Sequence, residues 1–276
     1  MVIFININNN KLNKILKTYG KYCKSIWTSK GWCTTYPPPT FATSGLTFSY
    51  DTYNVSSYPG TGNIFYDISG KGNNMTLLQA VLPAGSISNS NIGWQSTGIK
   101  SFIFNYTVGG SSGSNSYGRV PLTTTDSLGY TFGGWVQNVS GGAYTFQKGM
   151  DSIYGGWAIT LSVGDNSVGL TIINASSQGV GLAGNTTLIN NQWYYIVGQY
   201  IHNSGLKIYV NGNLTNSMSQ GSTQISLRNS PGWTISGIAS NVYGRSVIST
   251  YHMYNRVLTD SEISNNFLSQ KSRYGY

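Results

Sequence analysis

Charge is what this sequence has least of. Lys, Arg, Asp and Glu make up 8% of its 276 residues, about a third of the share in an average soluble protein. The shortage falls hardest on acids: there are seven, six Asp and the single Glu262, with two histidines beside them. That leaves little material for acid–base catalysis or for a dense metal cluster. Two cysteines, Cys23 and Cys33, exclude a disulfide scaffold; one bridge in an oxidising compartment and two thiols in a reducing one both stay open. No apolar run approaches the ~20 residues of a membrane span. The opening Met1-Val-Ile-Phe-Ile-Asn lacks a basic n-region, so no secretory signal is expected.

What is present is apolar, aromatic and rich in turn formers. Hydrophobic residues make up 39%, aromatics 13%, and there are 35 Gly and 21 Tyr. Such a chain buries enough surface to fold. β-branched and aromatic residues punctuated by Gly and Asn predict an all-β domain.

The charge is also unevenly placed. Residues 1–43 hold Lys11, Lys14, Lys17, Lys21, Lys24 and Lys30 and no acid, which is +6 of the formal net +9. The remainder is close to neutral. In this arm Leu12, Ile15, Leu16, Tyr19, Cys23, Ile26 and Trp27 recur at helical spacing with lysines between them. Pro37-Pro38-Pro39 then closes the segment as a stiff spacer. The spacing predicts a basic amphipathic helix with two uses. Leu12, Ile15, Leu16, Tyr19, Ile26 and Trp27 bury against a partner while Lys14 and Lys21 meet acidic surface, or the stripe packs on the chain's own β-domain. Lysine without arginine speaks against nucleic acid, and both docked readings are preferred over membrane.

From residue 44 to 276 strands and turns alternate. Strands are expected at 130–136, 156–163, 168–173, 193–201, 206–210, 233–238 and 247–254, with Asn211-Gly212 as a hairpin turn. Thr259-Asp-Ser-Glu262 matches a capping box and starts a helix with Ile263, Phe267 and Leu268 as its buried stripe. The pattern predicts a two-sheet antiparallel jelly-roll sandwich with a short C-terminal helix, preceded by the 1–43 arm. Trp135 and Trp193 sit mid-strand among apolar neighbours and are expected in the core.

Four pieces carry a family resemblance. They are Tyr50–Gly62 with Tyr66-Asp-Ile-Ser-Gly-Lys-Gly-Asn-Asn74, Tyr130-Thr-Phe-Gly-Gly-Trp-Val136, Asn191–Val197 with Leu206–Gly212, and Tyr251–Ile263. In this order they resemble the laminin-G-like, concanavalin A-like jelly rolls of bacteriophage virion proteins. The resemblance implies a non-enzymatic structural protein at the virion surface, decorating the capsid or attached to fibre or tail, oligomeric in the particle. Its partners would be other virion proteins, bound through the arm. The alternative it leaves open is a carbohydrate-binding adhesin for host glycans. Some relatives bind calcium, and Asp67, Asn73 and Asn74 in the Gly-rich loop are the residues that would hold Ca2+; an Asx-rich turn with no ion is the competing reading. A glycoside hydrolase would need two carboxylates on one face, and no strand carries acids at i and i+2.

Overall fold

Trp193–Ile201 is apolar almost without interruption, which is what a strand covered on both faces requires. A computed structural model of the chain describes residues 39–78, 81–82, 92–104, 117–122, 129–139, 144–149, 157–164, 166–173, 179–219, 232–236 and 246–276. It divides into two compact units, 1–40 and 41–276, and the second is the β-domain. The arm residues Leu12, Lys14, Ile15, Leu16, Tyr19, Lys21, Ile26 and Trp27, like both cysteines, lie outside the described residues.

The strands in chain order are β1 (Leu46–Asp51), β2 (Ile64–Phe65), β3 (Met75–Leu78), β4 (Val81–Leu82), β5 (Ile92–Gln95) and β6 (Ser101–Phe104). They continue with β7 (Tyr117–Val120), β8 (Gly129–Gln137), β9 (Tyr144–Gly149), β10 (Trp157–Gly164), β11 (Ser167–Ile173) and β12 (Gly179–Ala183). The rest are β13 (Trp193–Ile201), β14 (Gly205–Val210), β15 (Asn213–Ser219), β16 (Trp233–Ile235), β17 (Ser246–Ile248) and β18 (Thr250–Tyr254). Helix α1 (Asp260–Gln270) and a 3₁₀ turn (Lys271–Tyr274) follow.

Two sheets form the expected sandwich. The first runs β15-β14-β13-β8-β17-β6-β5-β4, with β18 joining β8 to β1; the second runs β12-β11-β10-β9-β16-β7-β3-β2. Among the described strands pairing is antiparallel except between β4 and β5. Tyr130, Phe132, Ile196 and Ile208 of the first sheet meet Phe146, Leu161, Leu170 and Ile235 of the second in the main core. The other face of the first sheet, with Trp135, Trp193, Tyr195 and Tyr209, is covered by Ile263 and Tyr274. Both expected core tryptophans are buried there, and Trp135 stacks on Tyr274 with centroids 3.8 Å apart.

Local signals resolve as the chemistry demands. Asn211 and Gly212 both take positive φ, 51° and 80°, as a tight hairpin turn needs. The Thr259 hydroxyl accepts from Glu262 N–H, and the Glu262 carboxylate accepts from Thr259 N–H, completing the box. Glu262 is also held by Arg256 through two bonds of 2.9 and 2.5 Å.

Three expectations need correction. Leu268 is 40% exposed; the residues that α1 buries are Ile263, Asn266 and Gln270. Asn266 earns that place by accepting from Ala42 N–H and donating to Tyr254. The run 247–254 is two strands because its register on β8 slips by one residue after Ser249, whose N–H still donates to Trp135 O; β17 pairs with β6 and β8, and β18 with β1 and β8. The strand expected over 233–238 stops at Ile235, where Ser236 takes φ 62°. Among the described residues no helix is long and apolar enough to cross a membrane.

Candidate functional site

The Gly-rich loop does bring Asp67, Asn73 and Asn74 together, and its task begins at a sheet edge. Among the described residues β1 pairs with a strand, β18, on one side only, so the backbone groups of Thr47, Ser49 and Asp51 on the other side need partners. The loop supplies them. Ser49 N–H donates to Asp67 Oδ1 (2.9 Å), Ser49 O accepts from Ile68 N–H (2.9 Å), and Thr47 O accepts from Asn73 Nδ2 (2.8 Å). Asp51 N–H donates to Ser57 Oγ (3.1 Å). Gly70 and Gly72, at φ 82° and 73°, let the loop double back.

Asp67 is the peg of this cap. Its Oδ1 accepts from Ser49 N–H and Ser69 N–H, and its Oδ2 from Ser69 Oγ and Asn73 N–H. Asn74 Oδ1 accepts from Asp67 N–H (3.0 Å). Calcium fits poorly here, since four donors already direct their positive ends at the carboxylate and the Asn74 oxygen is also taken. Asp67→Ala should cost about 2–4 kcal/mol, because several half-buried donors lose their acceptor at once, read as a lower urea midpoint. Millimolar Ca2+ should leave the wild-type melting temperature unchanged; a clear rise would restore the calcium reading.

The other described carboxylates are committed as well. Asp51 Oδ2 lies 2.6 Å from Arg273 Nη1, Asp260 accepts from the Tyr209 hydroxyl (2.7 Å), and Glu262 belongs to Arg256 and the helix cap. No group of three or more His, Cys, Asp or Glu converges among the described residues. The histidines are structural in their contacts. His202 Nδ1 lies 3.0 Å from the Tyr200 hydroxyl, and His252 is buried with Nδ1 3.0 Å from Ser49 Oγ.

Two polar arrangements were not singled out in the sequence. The first crosses the second sheet, where register aligns Thr76, Arg119, Thr234, Gln147, Thr160 and Thr171. Their strand neighbours Ile235, Phe146, Leu161 and Leu170 face the core, so this row faces away from it. The row is half-buried at Thr76, Arg119 and Thr171 but buried at Thr234, Gln147 and Thr160. Gln147 Nε2 and Thr160 Oγ1 have no hydrogen-bond partner.

The second arrangement lies at the ends of β8, β10 and β13. Asn138, fully buried, donates through Nδ2 to Asn166 Oδ1 (3.0 Å) and Asn190 Oδ1 (3.2 Å). Its own Oδ1 is buried without a partner. Backbone bonds from Asn138 N–H to Gln192 O and from Asn191 N–H to Asn138 O, both under 3.0 Å, lock the same segments together. The Asn-Asn-Gln run at 190–192 was the available sequence signal; its partners 138 and 166 are distant in the chain.

Comparison places this architecture among known ones. The family model described as the concanavalin A-like lectin/glucanases superfamily matches residues 112–264. The binding domain of Paraclostridial Mosquitocidal Protein 1 superposes with TM-score 0.55 at 16% identity, over 82% of this chain and 52% of that one. The receptor binding domain of botulinum neurotoxin type G gives 0.57 at 15%, over 82% and 51%. The botulinum neurotoxin serotype D ligand binding domain, in complex with N-acetylneuraminic acid, gives 0.57 at 12%, over 83% and 52%. At these identities the likeness is one of fold, and this chain spans about half the length of each. Comparison with curated protein sequences gives no match.

Proposed function

The chain belongs to the concanavalin A-like lectin/glucanase superfamily, and from that premise we propose that it is a non-catalytic recognition domain that binds carbohydrate. The observation that carries this reading is the commitment of all four described carboxylates, Asp51, Asp67, Asp260 and Glu262, to loop, ion-pair, hydroxyl and cap partners. Glycoside hydrolysis asks for two carboxyl groups free to face a sugar bond. Among the described residues the uncharged polar groups left over are amides and hydroxyls, which hold sugar hydroxyls well and do not hydrolyse glycosidic bonds. The serotype D domain with its bound sugar supports the same ligand class on this fold. Binding of the full chain to members of a bacterial polysaccharide panel, with no reducing sugar released, is the expected result. Release of reducing sugar would overturn it.

The loop Ser57-Tyr-Pro-Gly-Thr-Gly62 beside Asp67–Asn74 favours a setting for this domain. We place it on a phage-like particle, attached to capsid, tail or fibre proteins through the basic N-terminal segment. Ala42 N–H bonds Asn266 and the Phe41 ring meets His252 edge-on at 4.6 Å, so a deletion that tests anchoring must stop at residue 38. The 39–276 fragment should fold and fail to enter particles; normal incorporation would remove the anchoring role.

A further inference from the structure

The amide cluster around Asn138 has a chemical polarity that donor counting reveals. Asn138 Nδ2 carries two hydrogens and spends both, on Asn166 Oδ1 and Asn190 Oδ1. Turning the Asn138 amide over would bury two N–H groups without acceptors in place of one carbonyl, and orphaned N–H groups are the rarer and costlier defect. Asn166 and Asn190 therefore hold their oxygens inward and turn their NH2 groups toward solvent. Gln192 is fixed the same way. The Tyr194 hydroxyl accepts from Ile189 N–H (2.9 Å), so its one proton goes to Gln192 Oε1 (3.2 Å). All three outer amides are exposed. Beside them in the loop Ile189 is 60% exposed.

This rim thus offers three amide donors with their acceptor ends occupied, next to one uncovered aliphatic side chain, on a backbone already tied in place. Binding to such a platform loses little to ordering. We infer that the rim recognises the acetamido group of an N-acetylated sugar, whose carbonyl accepts from the outward NH2 groups and whose methyl rests on Ile189. A carboxylated sugar suits it less, because none of these side chains is cationic and Asp165 precedes Asn166 in the sequence. The inference rests on the carbohydrate reading above and names the group that is read.

Two tetrasaccharides test it on the full chain. Chitotetraose bears an acetamido group on every ring, whereas cellotetraose has the same linkage with hydroxyls only. Titration calorimetry should show chitotetraose bound at least about tenfold more tightly, the worth of one good hydrogen bond. Asn190→Asp and Gln192→Glu keep the inward oxygen and replace the outward donor by an acceptor. Each should weaken chitotetraose about tenfold with the melting temperature unchanged, and Ile189→Ala should weaken it without touching the amides. Equal affinity for the two sugars, or variants that bind like wild type, would overturn the rim assignment while leaving carbohydrate binding intact. Failure to bind these sugars and every member of the polysaccharide panel would remove both.

Discussion

Gly133→Ala and Gly134→Ala should each prevent the domain from folding. Both glycines sit in the middle of β8, the strand that pairs with β13 on one side and with β17 and β18 on the other. A Cβ at 133 would lie 2.0 Å from Ile196 O, and one at 134 would lie 2.0 Å from Thr250 O. Both obstacles are backbone, so no side-chain rotation relieves them. Gly133 also has φ +149°, which an L side chain rarely adopts. Making room means parting β8 from β13 or from β18, and with it the core on both faces of the sheet. The expected loss exceeds about 4 kcal/mol, the range of exceptional single substitutions, and the protein should accumulate in the insoluble fraction. Gly70→Ala is the control: its φ is +82° but nothing lies within 4 Å, so it should cost about 1 kcal/mol. Soluble yield and the denaturant midpoint separate the cases, and a well-folded Gly134→Ala would disprove the close approach.

The second large effect is a loss of stability in mild acid. His252 is buried between β1, α1 and Phe41, and burial holds its imidazole at about 4, well below the usual 6.5. Asp51 pulls upward and Arg273 downward, both by less than burial does. Between pH 6.5 and about 4 the unfolded chain therefore binds a proton that the folded one refuses. Stability is complete above pH 6.5 and falls as pH drops through that window. At about 1.4 kcal/mol per unit of pKa difference, the full descent is about 3 kcal/mol. His252→Gln should flatten it. A lower, separate step belongs to Glu262, which the Arg256 guanidinium holds near 2; its contribution is present above about 4.5 and is lost as pH falls toward 2. Urea midpoints at pH 7, 5 and 4 for wild type and His252→Gln measure the first step. A wild-type midpoint independent of pH over that range would show that the imidazole is not held neutral.

The elements read correctly from sequence are those whose cause is local. β13, the Asn211-Gly212 turn and the Thr259–Glu262 box each depend on residues a few positions apart, so their signals survive without the fold. The face of α1 was misjudged at Leu268 because Asn266 is drawn inward by Ala42 and Tyr254, which no helical spacing shows. The break after Ser249 likewise depends on its register against β8. The polar row and the amide rim were illegible for a stronger reason. Each exists only once register sets Gln147 beside Thr234 and Thr160, or brings Asn138 against Asn166 and Asn190. The sequence singled out Asp67, Asn73 and Asn74 in one Gly-rich loop; which task their oxygens perform depended on the edge of β1, a neighbour set by topology.

That edge has a consequence for the order of events in folding. Among the described residues β1 finds its sole sheet neighbour in β18, and the Ser49–His252 contact spans 203 positions of sequence. Closing so long a loop is slow compared with forming the local β13–β14–β15 hairpins. During synthesis β1 and its Asp67 loop must wait, with Phe48 and Tyr50 uncovered, until residues 250–254 leave the ribosome. The Asp67 cap closes the outer edge of β1 from nearby residues, so during that wait the edge that β18 will take is the one left open to another copy of the chain.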